Sequence, residues 1–142
     1  MIEFTINLAP QPKARPRVAV VKGHALVYTP KKTRVFEAEV AAIAQQHFPQ
    51  PLKGPVILNI LFLLPRPKTL MRRKDPEDEI PHITRPDLDN LTKSITDGLN
   101  GVAYIDDRQI WRLNTSKLYH SKTGHPQIRI KIWGIEEEES RL

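Results

Sequence analysis

The chain has 142 residues, enough for one hydrophobic core but short of two independent ones, so a single domain is expected. Lys and Arg number 22 against 16 Asp and Glu, a formal charge of +6 that favours a polyanionic partner, nucleic acid first. Cysteine is absent, which excludes disulfides, thiolate zinc sites and cysteine nucleophiles together.

Ile2, Phe4, Ile6 and Leu8 alternate with polar residues. That pattern predicts a strand and is unlike the basic start and apolar core of a signal peptide. Val18–Val21 and Ala25–Tyr28 flank Lys22-Gly23-His24 and predict a hairpin. Thr29-Pro30 reads as an N-cap followed by a first-turn proline. Phe36, Val40, Ile43 and Ala44 then fall at helical spacing, giving a helix from about 30 to 48 that Pro49 and Pro51 end. Pro55–Leu64 is almost uninterrupted Val, Ile and Leu, the composition of a central strand covered on both faces. From Pro65 to Pro86 prolines sit among mixed charges without periodicity, and a long loop is expected there.

Asp87–Leu99 carries Leu88, Leu91, Ile95 and Leu99 as one apolar stripe, with Gly101 placed to close the helix. Arg108–Leu118 and Gln127–Trp133 read as strands. On the second, Ile128, Ile130 and Ile132 alternate with an outer face of Arg129, Lys131 and Trp133. The expected fold is α+β (mixed α/β): one domain over residues 1–135, a mixed sheet with two main helices in the order βββ-α-β-α-ββ, then an acidic tail at 136–142. No apolar run approaches the roughly 20 residues of a membrane helix, and a soluble cytoplasmic protein is expected.

The charge is unevenly distributed. Between Phe4 and Phe36 there is no acidic residue, yet Lys13, Arg15, Arg17, Lys22, Lys31, Lys32 and Arg34 all lie there. Lys13, Arg15, Arg17, Lys31, Lys32 and Arg34 are therefore the candidate DNA-binding residues. The last three sit badly for the dipole of the helix they begin, which points to an anionic partner. A basic strand edge that discourages aggregation is the competing explanation for the first three.

Asp87 and Asp89 lie in the first turn of the second helix, where free N–H groups and the dipole stabilise carboxylates. Taken alone, the pair reads first as capping. Lys93 adds to it, because Asp89, Lys93 and Asp97 share one polar ridge opposite the leucine stripe. The helix is roughly 18 Å long at about 1.5 Å per residue, and Gly101–Asp107 in extended form spans roughly 20 Å. The Asp106-Asp107 pair can thus return beside Asp87 and Asp89, and in a strand only one of the two would face them. Carboxylate oxygens without sulfur or imidazole suit Mg²⁺ or Mn²⁺ better than zinc. Such a site in a basic groove implies phosphodiester hydrolysis, with Lys93 either stabilising developing negative charge or polarising the attacking water or the leaving oxygen, roles between which the sequence does not choose. The segment is not an EF-hand loop, since Leu91 and Thr92 stand where a ligand and a glycine are required. Nor is it an aspartyl-phosphate site, since no apolar strand precedes Asp87.

Arg85-Pro86-Asp87-Leu88-Asp89-Asn90-Leu91-x-Lys93, then Asp97-Gly98-Leu99-Asn100-Gly101, then Asp106-Asp107-x-Gln109-Ile110, resemble the RusA family of Holliday junction resolvases. Pro12-Lys13-Ala14-Arg15-Pro16-Arg17 and Tyr28-Thr29-Pro30 resemble the family's opening, so the likeness reaches to about Ile132. It implies a homodimer that binds four-way DNA junctions in recombination and repair and nicks two strands symmetrically with Mg²⁺ or Mn²⁺. Carried over position by position, it implies Asp87, Asp89 and Asp107 as metal-holding carboxylates and Lys93 as the catalytic lysine, with Asp107 preferred over Asp106. The charged loop from Arg66 to Glu79 has no assignable counterpart. Trp111 and Trp133 are expected to pack in a core or dimer interface, and none of the five histidines shows ligand spacing. A non-catalytic DNA-binding protein and a nuclease for other branched DNA are the rival readings.

Overall fold

A computed structural model describes residues 1–135; the acidic tail lies outside the described residues. The element order is β1 (Ile2–Ile6), β2 (Arg17–Val21), β3 (His24–Tyr28), α1 (Lys31–Gln45), β4 (Val56–Leu64), β5 (Ile80–Pro81), α2 (Leu88–Leu99), β6 (Ile110–Tyr119) and β7 (Gln127–Gly134). Five strands form one mixed sheet in the order β1-β7-β4-β6-β5, parallel between β4 and β6 and antiparallel elsewhere, while β2 and β3 pair separately. The α+β architecture expected from the sequence is the one observed. No helix among the described residues is long and apolar enough to cross a membrane.

The apolar run of β4 places it between β6 and β7. Val56, Leu58, Ile60, Phe62 and Leu64 face both helices across a core shared with Phe4, Ile6, Ile128, Ile130 and Ile132. Phe36, Val40 and Ala44 of α1 and Leu91, Ile95 and Leu99 of α2 close that core. The two helices approach closely because Gly98 lacks a side chain: a Cβ there would lie 2.9 Å from Val40 Cγ1. The other face of the sheet carries Glu3, Asn59, Arg129 and Lys131. Lys22 and Gly23, with φ of 49° and 77°, make the two-residue left-handed turn that a tight β2–β3 hairpin needs.

Several expectations are corrected. Pro30 occupies the N-cap position itself, and α1 runs from Lys31 to Gln45, without a side-chain cap. The segment 65–86 is irregular but organised: β5 pairs with β6, and the buried Arg66 guanidinium donates to the carbonyls of Leu70 (2.8 Å), Pro76 (2.6 Å), Asp78 (3.1 Å) and His120 (3.3 Å). Side-chain bonds to main-chain carbonyls leave no periodic trace in a sequence. Residues 101–107 do not run back extended. Gly101, at φ 81°, starts a turn with a bridge between Asn100 and Tyr104, and Asp107–Gln109 form a short 3-10 turn. Trp133 lies on the same face of β7 as Arg129 and Lys131, as the alternation predicts, and is buried there, in keeping with its expected packing. Trp111 is 53% exposed, so of the two packing places expected for it the core is the one the fold does not use.

Candidate active site

The α2 helix begins with Asp87 at the N-cap position in an extended conformation, and its carboxylate makes no capping hydrogen bond. The capping role that competed with a functional one is therefore not what Asp87 does here. Asp89, in the first turn, accepts from the Asn90 amide at 2.9 Å and keeps its side chain exposed. Behind this turn Thr92 Oγ1 donates to the Leu88 carbonyl (2.8 Å) and lies 3.1 Å from Thr115 Oγ1, tying α2 to β6. Further along, the buried Tyr104 hydroxyl donates to the Thr96 carbonyl at 2.6 Å. Burial first, and then Asp107, Asp97 and Asp106, push its ionisation up, so it stays a donor.

The 3-10 turn separates the two neighbouring aspartates by task. Asp106 is the N-cap: its carboxylate accepts from the Arg108 amide at 2.9 Å, and Gln109 Oε1 returns to the Asp106 amide at 2.9 Å. Asp107, inside the turn, points its Oδ2 toward Lys93 Nζ, 3.8 Å away. The turn thus directs Asp107, not its neighbour, toward the α2 ridge.

Lys93 stands between two carboxylates, with Asp97 Oδ1 at 2.9 Å on its other side. The hydrogen bond to Asp97 is the main reason its ionisation lies above the usual lysine value, against the opposing effect of burial, so the side chain is a cation. Asp97 in turn pairs with Lys13 Nζ at 3.0 Å, and Lys13 also pairs with Glu37. Burial works against both ions, yet the pairing holds Lys13 above and Asp97 below their ordinary values. The result is an alternating row, Glu37–Lys13–Asp97–Lys93–Asp107, running from α1 to the 3-10 turn.

Asp89, Lys93 and Asp107 open together on a cavity of about 670 Å³, walled by Leu88, Trp111 and Leu113. Asp87 lines a different groove, of about 700 Å³, together with Lys13, Arg15 and Arg85, and does not share the cavity of Asp89 and Asp107. Among the described residues no three His, Asp or Glu side chains already stand together as a metal-holding group. The donors present are nonetheless carboxylate oxygens, which match a hard divalent cation held by one or two carboxylates and completed by water and substrate phosphate.

Of the basic candidates, Arg15, Arg17, Lys31, Lys32 and Arg34 are exposed, and none forms an ion pair with another described residue. Lys13 differs. Its segment is stitched to the helices by the Lys13 amide donating to the Asn90 carbonyl (2.9 Å) and the Ala14 amide to Thr33 Oγ1 (3.2 Å), and its ammonium is taken up by Glu37 and Asp97. The sequence around Lys13 lacks acids, but the fold supplies two from distant elements. Asp97 as the partner orienting Lys93 is an addition, signalled only by its i,i+4 spacing.

The model of the family described as Endodeoxyribonuclease RusA matches residues 7–133. The uncharacterized protein YqaN of Bacillus subtilis (strain 168) is 31% identical over 137 residues, covering 92% of this chain and 94% of its own.

Proposed function

The chain belongs to the RusA endodeoxyribonuclease family, and from that premise we propose that it resolves four-way DNA junctions as a homodimer. In this reading a Mg²⁺ or Mn²⁺ ion is held at Asp87, Asp89 and Asp107. The observation that carries the proposal is the meeting of Asp89, Lys93 and Asp107 in one open cavity, with Asp87 two residues before Asp89 at the start of the same helix. A divalent cation bound there supplies charge neutralisation for a phosphodiester under attack and a source of activated water.

The chain's own residues account for the rest. Lys93 is a fixed cation whose ammonium stabilises negative charge developing on the scissile phosphate. Its orientation comes from Asp97, which is itself anchored by Lys13. Arg15, Arg17, Lys31, Lys32 and Arg34 provide uncompensated positive charge for flanking phosphates, so binding is salt-sensitive. A two-fold dimer presents two equivalent sites, which matches the pair of equivalent strands at a junction.

The test is purified protein with a synthetic four-way junction in Mg²⁺ or Mn²⁺. Paired symmetric nicks are expected from the wild type, and binding without nicking from Asp89→Asn. Junction binding by the wild type with no nicking under any divalent ion would reduce the protein to a DNA-binding module.

A further inference from the structure

We propose that Lys117 is a positioning residue that fixes where the chain delivers Asp87 to the site. It stands on β6 opposite Phe62, on the face turned toward the helices, two residues beyond Thr115, which contacts α2. Its Nζ donates to the carbonyl of Thr84 at 2.6 Å and to that of Pro86 at 2.7 Å. Those carbonyls flank the last step before Asp87. They lie beyond β5, whose ladder with β6 stops at Pro81, so no strand holds them. The neighbouring contacts are weaker: the His82 amide donates to the Lys117 carbonyl at 3.2 Å, and Thr84 Oγ1 lies 3.3 Å from the Tyr119 hydroxyl.

Bonds from an ammonium to carbonyl oxygens are shorter and stronger than neutral ones, and two from one side chain define a position as a single bond does not. Lys117 clamps the connection 84–86 to β6, the strand that also carries Trp111, Leu113 and Thr115 of the cavity wall and follows directly on the turn holding Asp107. One strand therefore sets the spacing between Asp87 at one end of the site and Asp107 at the other. This inference rests on the reading of Asp87 as a site carboxylate; Lys117 itself touches neither substrate nor cation.

The experiment compares wild type, Lys117→Met and Lys117→Arg by two readouts: amide hydrogen exchange over residues 82–91 in the protein without DNA, and single-turnover nicking of a four-way junction against its binding affinity at matched salt. Lys117→Met should speed exchange in 82–91 while leaving β4 and β7 protected, and slow nicking by about tenfold or more with affinity nearly unchanged, since a misplaced group loses rate rather than binding. Lys117→Arg, which again offers donors to both carbonyls, should recover most of both. Exchange and nicking at wild-type levels in Lys117→Met would overturn the proposal, as would a loosened segment with undiminished nicking. If Lys117→Met does not fold, Lys117→Gln replaces it with the same criteria. A wild type that cuts no junction would defeat the proposed function instead, and the exchange comparison would then decide whether Lys117 fixes this segment.

Discussion

Asp97→Asn removes one charge from the middle of the alternating row and leaves the volume almost unchanged. The Lys13–Asp97 pair is the costlier loss, because both side chains are only 21% exposed and Lys13 keeps Glu37 as its sole partner. Losing a hydrogen bond to a charged group of that kind costs about 1.5–3 kcal/mol. The Lys93–Asp97 pair, with Lys93 54% exposed, adds only about 0.3–0.5 kcal/mol. A destabilisation of about 2 kcal/mol lowers the melting temperature by about 4–8 °C in a chain of this size. Because pairing depresses the Asp97 ionisation, its contribution is fully present above the ordinary value of 3.8 and is lost as pH falls below it. The variant's stability should therefore be flatter in that acid window. At the site, Lys93 retains its charge and its contact to Asp107 but not its restraint. Single-turnover nicking should fall about tenfold, short of the about 10²–10³-fold loss expected when a transition-state donor is removed outright. Calorimetry and quenched-flow cleavage measure the two effects. Unchanged melting and unchanged nicking in Asp97→Asn would refute both the row's contribution and the orientation of Lys93.

Three further outcomes follow from particular contacts. His82 is buried with its Nδ1 unpartnered, and burial, followed by Lys117, lowers its ionisation, so the fold binds fewer protons than the unfolded chain below pH 6.5. Wild-type stability should fall as pH drops below that value, and urea midpoints for His82→Phe should fall less. Gly98→Ala places a methyl against Val40 and should cost about 1–3 kcal/mol by overpacking, with Val40→Ala restoring part of it in the double variant; additive losses would show that the close approach is not the cause. Arg15→Ala and Arg17→Ala should each reduce the slope of junction affinity against salt by about one ion if they contact phosphate, whereas Lys13→Ala should mainly lower the melting temperature. Equal salt effects from all three would contradict the internal pairing of Lys13.

The legible parts of this fold are those written in periodicity. The alternation in β1 and β7, the apolar run of β4, the Lys22-Gly23 turn and the stripe of α2 each carry their own signal, and those elements form where periodicity places them. The sheet order is not legible, and Asp107 comes back toward Lys93 through a turn and a 3-10 segment instead of the extended run expected. What could not be read has a common physical form: a polar side chain whose partner is a main-chain group or a residue far away. Arg66 organises the long loop through carbonyls, which carry no sequence signal. Asp106 and Asp107 are identical in type, and only the capping geometry of the 3-10 turn gives them different directions. No acid is near Lys13 in sequence, while Glu37 and Asp97 reach it in space.

If the start of α2 and the returning Asp107, with Lys93 between, form the cutting site, the rate of paired nicking of a synthetic four-way junction in Mg²⁺ should separate wild type, Asp106→Asn and Asp107→Asn measured side by side. Asn caps a turn about as well as Asp, so Asp106→Asn should nick at close to the wild-type rate, while Asp107→Asn should bind the junction and fail to cut it. The reverse order, or full activity in Asp107→Asn, would show that the cutting site lies elsewhere.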